Sequence, residues 1–369
     1  MPDTLRDLRS KEFARLDAAG HAYLDYTGSG LYAESQLERH MELLQREVLG
    51  NPHTESPTSL PATRRVEAAR ADILDFFQAD PSEYEVIFTA NASGALKIVG
   101  ESFPFGPGSR LLMTADNHNS VNGIRSFAAA RGAAVEYLPL DGELRAGPLE
   151  PYLGSAAAAP GLFAFPAQSN FSGVKHPLGW IATAQAAGFR VLLDAAAFVP
   201  TSRLSLREVH PDFVCVSFYK MFGYPTGVGA LIARHPALLE LRRPWFAGGT
   251  VRFVSAQNQE HLLKATAEAF EDGTLNFLAI AAVPFGLELL RSLGMEAVNR
   301  HVMDLTAALL DGMVSLRHSN GAPQVRVYGP HDLRGRGATI AFNALDPEGG
   351  LVEYMKKHGR LSLERDAAR

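Results

Sequence analysis

Apolar residues in this chain fall in short unbroken runs that end in small or polar residues and lead into stretches with helical spacing. Glu85–Thr89 (EVIFT) runs into Ser93–Glu101, Arg110–Thr114 (RLLMT) into Ser120–Arg131, and Gly161–Phe165 (GLFAF), after a loop, into Trp180–Ala187. Phe189–Asp194 (FRVLLD), Asp212–Ser217 (DFVCVS) and Gly227–Ala233 (GVGALIA) complete the series. Strands buried on both faces read as continuous apolar runs. Their alternation with helices of about ten residues predicts βα units around a largely parallel sheet. The regularity ends near Thr250. Beyond it the spacing predicts helices over Ala265–Glu271, Leu278–Leu293 and Val298–Leu316, then a strand pair near Val325–Tyr328 and Ala338–Phe342. The expected organisation is a large α/β domain over residues 20–255 and a smaller α+β domain over 256–369 that residues 1–19 join.

Composition narrows the classes. The 369 residues carry 35 Lys plus Arg against 40 Asp plus Glu, a net charge of −5 with no block of one sign. That balance argues against nucleic acid or an anionic membrane as the main partner. The first residues, Met-Pro-Asp-Thr-Leu-Arg-Asp-Leu-Arg, lack the apolar core of a signal peptide, and no uncharged run is long enough to span a bilayer. The single cysteine, Cys215, excludes an internal disulfide and a Cys-rich metal site, and suits a reducing cytoplasm. No Gly-rich dinucleotide fingerprint follows the first strand, and the 12 histidines form no H-x-x-x-H pair with a supporting acid.

The candidate chemistry sits just past the strands, where doubly wound sheets hold ligands. Lys220 follows an apolar strand, beside two aromatics and before a Gly/Pro-rich turn, in V-C-V-S-F-Y-K-M-F-G-Y-P-T-G-V-G. It reads either as a lysine snorkelling from a strand end or as one whose amine, its pKa lowered by apolar surroundings, forms a Schiff base with a carbonyl. Asp194 ends its strand 26 residues earlier. It reads either as a helix N-cap or as a carboxylate paired with the pyridinium nitrogen of pyridoxal 5'-phosphate (PLP). In F-T-A-N-A-S-G-A-L (88–96), small residues open a helix, giving a phosphate cradle or an ordinary turn capped by Asn91 or Ser93. His118, in D-N-H-N-S-V, is scaffold or a ring-stacking proton carrier. Asn170, in P-A-Q-S-N-F-S-G, is a turn residue or a donor to a phenolate oxygen. All five candidates follow successive strands.

With these residues in hand, the chain resembles the class V (fold type I) PLP enzymes, and within them is similar to the desulfurase-like domain of molybdenum cofactor sulfurases. The matching stretches include Y-L-D-Y-T-G-S-G-L-Y (23–32), G-N-P-H-T-E-S-P (50–57), D-N-H-N-S-V-N-G-I-R (116–125), L-D-A-A-A (193–197), S-F-Y-K-M-F-G-Y-P-T-G-V-G-A-L (217–231) and F-E-D-G-T-L-N-F (270–277). The resemblance implies an amino-acid substrate, L-cysteine by family precedent, processed through a Lys220 aldimine and a Cα carbanion. It gives Lys220 the cofactor bond and the α-proton, Asp194 the ring nitrogen, His118 the ring face and Asn170 the phenolate oxygen. Ala92, Ser93, Ser217 and Tyr219 would hold the phosphate, and Thr274 would reach the phosphate of the neighbouring protomer in a homodimer.

One departure stands beside these agreements. The desulfurases carry a nucleophilic cysteine and a carboxylate-binding arginine in a C-terminal loop. Here the last residues read G-R-L-S-L-E-R-D-A-A-R, with Glu364 where the arginine is expected and no cysteine after it. Cys215 lies inside a strand and is expected to be inert. Arg334, Arg336, Arg360 and Arg365 are the remaining candidates for a carboxylate grip. Transamination, β-elimination by a lyase, and a non-catalytic scaffold of the same fold stay open as alternatives to sulfur mobilisation.

Overall fold

The computed structural model describes residues 3–52, 54–154 and 159–352. Seven strands form the central sheet: β1 (Tyr84–Thr89), β2 (Arg110–Thr114), β3 (Ala134–Leu138), β4 (Gly161–Pro166), β5 (Phe189–Asp194), β6 (Phe213–Ser217) and β7 (Gly229–Arg234). Their spatial order is β1-β7-β6-β5-β4-β2-β3. The pairs β2–β3, β2–β4, β4–β5 and β5–β6 are parallel, whereas β7 runs against both β1 and β6. The mixed α/β fold with a mostly parallel sheet is the one the hydrophobic pattern predicts.

Alternation along the strands explains why the apolar runs are unbroken. Phe163, Phe165, Val191, Leu193, Val214 and Val216 point to one core. Leu162, Ala164, Leu192, Phe213 and Cys215 point to a second core on the other face. A sheet covered on both sides has no polar face to show. A separate small cluster of Leu310, Met313 and Val327 joins the helix Met295–Ser315 to β10 (Val325–Tyr328), which pairs with β11 (Ala341–Ala344).

Several elements differ from expectation for identifiable reasons. β7 is antiparallel because the chain turns straight back after β6, through the short helix Phe218–Phe222, instead of making a crossover. The helix expected over Ser120–Arg131 is two helices, Asn119–Asn122 and Ile124–Ala130, interrupted at Gly123, a poor helix former. Leu278–Leu293 divides into Phe277–Ile280 and Val283–Leu293, because Pro284 is tolerated only in a first turn. Ala265–Glu271 forms only a 3₁₀ turn at Ala267–Phe270, and the last strand begins at Ala341, not Ala338. An exposed hairpin of β8 (Val251–Val254) and β9 (His261–Leu263) had no expected counterpart. Among the described residues no single helix is long and apolar enough to cross a membrane.

Candidate active site

The carboxyl ends of β1, β2, β4, β5 and β6 meet at one cavity, and the connections that follow them supply its walls. Ala92, Ser93, His118, Asn170, Asp194, Ser217, Tyr219 and Lys220 all line it. Residues separated by up to 128 positions are thus gathered by the sheet order alone. Thr274 does not line this cavity; it is exposed and its Oγ1 accepts a hydrogen bond from Asn51 Nδ2 at 3.3 Å.

The end of β1 forms the cradle. Asn91 caps the helix Ala92–Ser102, its side-chain oxygen accepting from Gly94 N–H at 3.0 Å. Ser217 Oγ accepts from Ala92 N–H at 2.8 Å, so this first-turn amide is engaged by the protein. Ser93 Oγ lies 2.6 Å from Ser120 Oγ, which brings the starts of two helices together. Such a terminus favours an anion through its amides and dipole. Gly229 makes the close fit possible, since a Cβ there would stand 2.6 Å from Asn91 Cα.

Asp194 is 7% exposed, between Pro166 of β4 and Cys215 of β6 in register. Burial pushes its carboxyl pKa up, while the Ala196 N–H bond and the charges of Lys220 and His118 pull it down. A cationic partner in the cavity would lower the cost of that buried charge. Lys220 is half-buried in Phe218–Phe222, and its neighbour's carbonyl, Tyr219 O, accepts from Gly30 N–H at 3.0 Å. His118 Nδ1 accepts from Ser120 N–H at 3.1 Å, which in the neutral ring leaves the proton on Nε2.

Behind the cavity a buried pair joins two of its loops. His176 Nε2 lies 2.8 Å from Asp116 Oδ2, and the His176 ring stacks on Trp180 at 5.4 Å. Asn117 Nδ2 donates to Thr114 O and Ala164 O, at 3.0 and 2.9 Å, fastening the His118 loop to β4. Burial pushes the Cys215 thiol pKa well up, as expected for an inert strand cysteine.

Two of the candidate carboxylate grips are committed elsewhere. Arg334 has an 89% exposed side chain paired with Asp332. Arg336 is 1% exposed and donates to the carbonyls of Pro330, Ser172, Gly337 and Thr339. It fastens one loop to another and does not line the cavity. Glu364, Arg360 and Arg365 lie outside the described residues. A larger groove of about 930 Å³ opens at the other ends of β1 and β6, but it contains none of the candidates. Its Arg203 and Arg291 are paired with acids.

Sequence reading misses one lining residue of note, Gln168, which lies in a stretch that reads as a turn. The signal was available: Pro166 and Gln168 continue the period-two alternation of β4, and Asn170 opens the turn that follows.

The family model for aminotransferase class V matches residues 22–354. This chain belongs to the class-V aminotransferase family. Among curated relatives of this class-V chain is a molybdenum cofactor sulfurase from Bos taurus, 39% identical over 98% of this chain. The chain covers 43% of that relative, and it spans about half the length of the curated relatives it matches. The apo structure of a cysteine desulfurase from Thermococcus onnurineus NA1 has a TM-score of 0.78, at 24% identity over 92% of this chain and 82% of the other. A second structure, a C-DES mutant with glycine covalently linked to the PLP cofactor, has a TM-score of 0.73, at 20% identity over 92% of this chain and 86% of the other. The class-V chain is a PLP-dependent enzyme with the fold of the type I PLP proteins. Its cavity suits that cofactor: a helix terminus for a phosphate, a buried carboxylate that needs a cation, and an amine at the same cavity.

Proposed function

We propose that this chain acts on the α-carbon of a small amino acid, with Lys220 as the covalent anchor of PLP and the residue that moves the α-proton. The observation that carries this reading is the convergence of Lys220, Asp194 and His118, from three separate strand ends, on one cavity. The bound cofactor supplies an electron sink for charge developing at the substrate's α-carbon.

The protein's part follows from its own groups. The Ala92–Ser102 helix terminus, with Ser93, Ser217 and Tyr219 around it, binds the phosphate. Asp194 Oδ holds a proton at the ring nitrogen, and its burial makes that partnership strong. His118 covers the ring face, and Asn170 donates to the phenolate oxygen. Lys220 Nζ, once free of the cofactor, takes and returns the proton at the α-carbon.

L-Cysteine is the proposed substrate, since the named relatives and structural neighbours act in sulfur chemistry and the cavity sits on the same fold. Cys215 is the only cysteine in these 369 residues and its thiol is buried. Sulfur leaving the substrate would therefore pass to a thiol outside this sequence, or β-elimination would occur in its place. A homodimer in which Thr274 reaches the second protomer's phosphate is supported by its exposure and by its absence from the lining of its own cavity. The single buried cysteine suits a cytoplasmic setting.

The test is reconstitution with PLP followed by incubation with L-cysteine. A visible cofactor band that is absent in Lys220→Ala, with alanine formed from cysteine, is the expected result. Pyruvate and ammonia in place of alanine would make the chain a lyase. Lack of any band would leave a scaffold of this fold.

A further inference from the structure

The segment that carries Lys220 is held at both ends. Ser217, three residues before the lysine, is bonded to Ala92 N–H. Tyr224, four residues after it, is gripped by the helix Glu34–Arg46. Gln36 Nε2 of that helix donates to Tyr224 O at 3.1 Å, and His40 Nδ1 lies 2.5 Å from the Tyr224 hydroxyl. The turn before Tyr224 is closely seated. Gly223 N–H donates to Tyr219 O at 2.9 Å, and a Cβ on Gly223 would stand 2.2 Å from Tyr32 N.

His40 is 5% exposed and does not line the cavity. Its Nε2 lies 2.9 Å from Leu278 O, in the helix Phe277–Ile280. A carbonyl only accepts, so Nε2 carries the proton and Nδ1 of the neutral ring accepts from the Tyr224 O–H. Burial lowers the His40 pKa and outweighs the opposite effect of the Leu278 bond, which suits that neutral ring. With both nitrogens engaged, the imidazole is a strut between Leu278 and the far end of the Lys220 segment. An amine whose backbone is ordered beforehand loses less freedom when it forms a bond. We propose that His40 is a positioning residue, which acts through Tyr224 to hold Lys220 where its bond to PLP forms. This inference rests on the PLP reading.

The test sets PLP against pyridoxamine 5'-phosphate, which offers the same ring and phosphate but has an amine in place of the aldehyde and forms no bond with a lysine. Affinities are measured by the visible band for PLP and by calorimetry for the pyridoxamine, in wild type, Tyr224→Phe, His40→Gln and His40→Asn. Tyr224→Phe removes the hydroxyl, and His40→Gln keeps only the donor at the Nε2 position. Both should bind PLP about tenfold more weakly and pyridoxamine 5'-phosphate as tightly as wild type. His40→Asn keeps only the acceptor at the Nδ1 position. It should lose stability in urea, because Leu278 O is left unpaired, yet hold PLP with nearly wild-type affinity. Equal losses for the two ligands would make the contact merely structural and overturn the assignment. So would unchanged PLP affinity in Tyr224→Phe, or a loss in His40→Asn as large as in His40→Gln. If Tyr224→Phe does not fold, His40→Gln decides on the same terms. Failure of wild type to form the band defeats the PLP reading itself, whereas a normal band with no selectivity between the ligands defeats only the role of His40.

Discussion

Ser217 Oγ, at the end of β6, accepts a hydrogen bond of 2.8 Å from the backbone N–H of Ala92, the first residue of the helix Ala92–Ser102. Lys220 lies three residues beyond Ser217. One bond therefore sets the distance between the amine and the helix terminus that receives the phosphate. Ser217→Ala leaves the buried Ala92 N–H unpaired, a cost of roughly 1–3 kcal/mol. Urea unfolding should show that loss, and PLP titration a weaker affinity. A variant that matches wild type in both would remove this bond from the account.

Asp194 carries a pH dependence whose sign follows from its burial. Burial raises its pKa in the folded protein above that in the unfolded chain. The native apo-protein then holds the proton more tightly, so its stability is fullest below the unfolded value of about 3.9 and falls as pH rises through the folded one. Asp194→Asn removes this titration. Its apo form should be at least as stable as wild type at neutral pH, with a flatter stability profile above about pH 4. Turnover of the PLP-loaded variant should fall on the order of 10²-fold, since a neutral amide cannot hold the ring nitrogen charged. Wild-type turnover in the variant would contradict the role of Asp194.

The Asp116–His176 pair supports the loop that bears His118 without touching the cavity. His176→Ala strips a buried carboxylate group of its partner and opens a gap against Trp180. A loss of at least ~2 kcal/mol is expected in denaturant unfolding. Asp116→Asn, which keeps a hydrogen-bonding group, should cost less than His176→Ala; the reverse order would mean that the pair does not act as described.

The strands were legible because a doubly covered sheet writes itself as unbroken apolar runs, and the candidates were legible because they end those runs. What was hidden had weaker patterns. β3 is an edge strand whose AVEYL mixes polar and apolar residues at partly exposed positions. β8 and β9 are exposed, so no core demands a pattern of them. Arg336 reads in the sequence as one of four candidate carboxylate grips; only the fold shows its donors on four carbonyls. Gln168 reads as part of a turn because a turn over 170–172 begins two residues after it, and isolated backbone bonds, not the sheet, hold it.

Gly229 tests whether the cradle depends on backbone contact. A methyl at that position would meet Asn91 Cα at 2.6 Å and Val216 O at 2.7 Å. Neither can yield as a flexible side chain would. Gly229→Ala should lose about 1–3 kcal/mol of stability and weaken PLP binding together. A loss of stability with unchanged PLP affinity would separate the cradle from this contact.

The central claim is the bond between Lys220 and the cofactor. Reducing the PLP-loaded protein with borohydride and mapping its peptides by mass tests it most directly. A pyridoxyl group found on the peptide containing Lys220 is the expected result. No label, or a label on other lysines with Lys220 unmodified, would contradict the account.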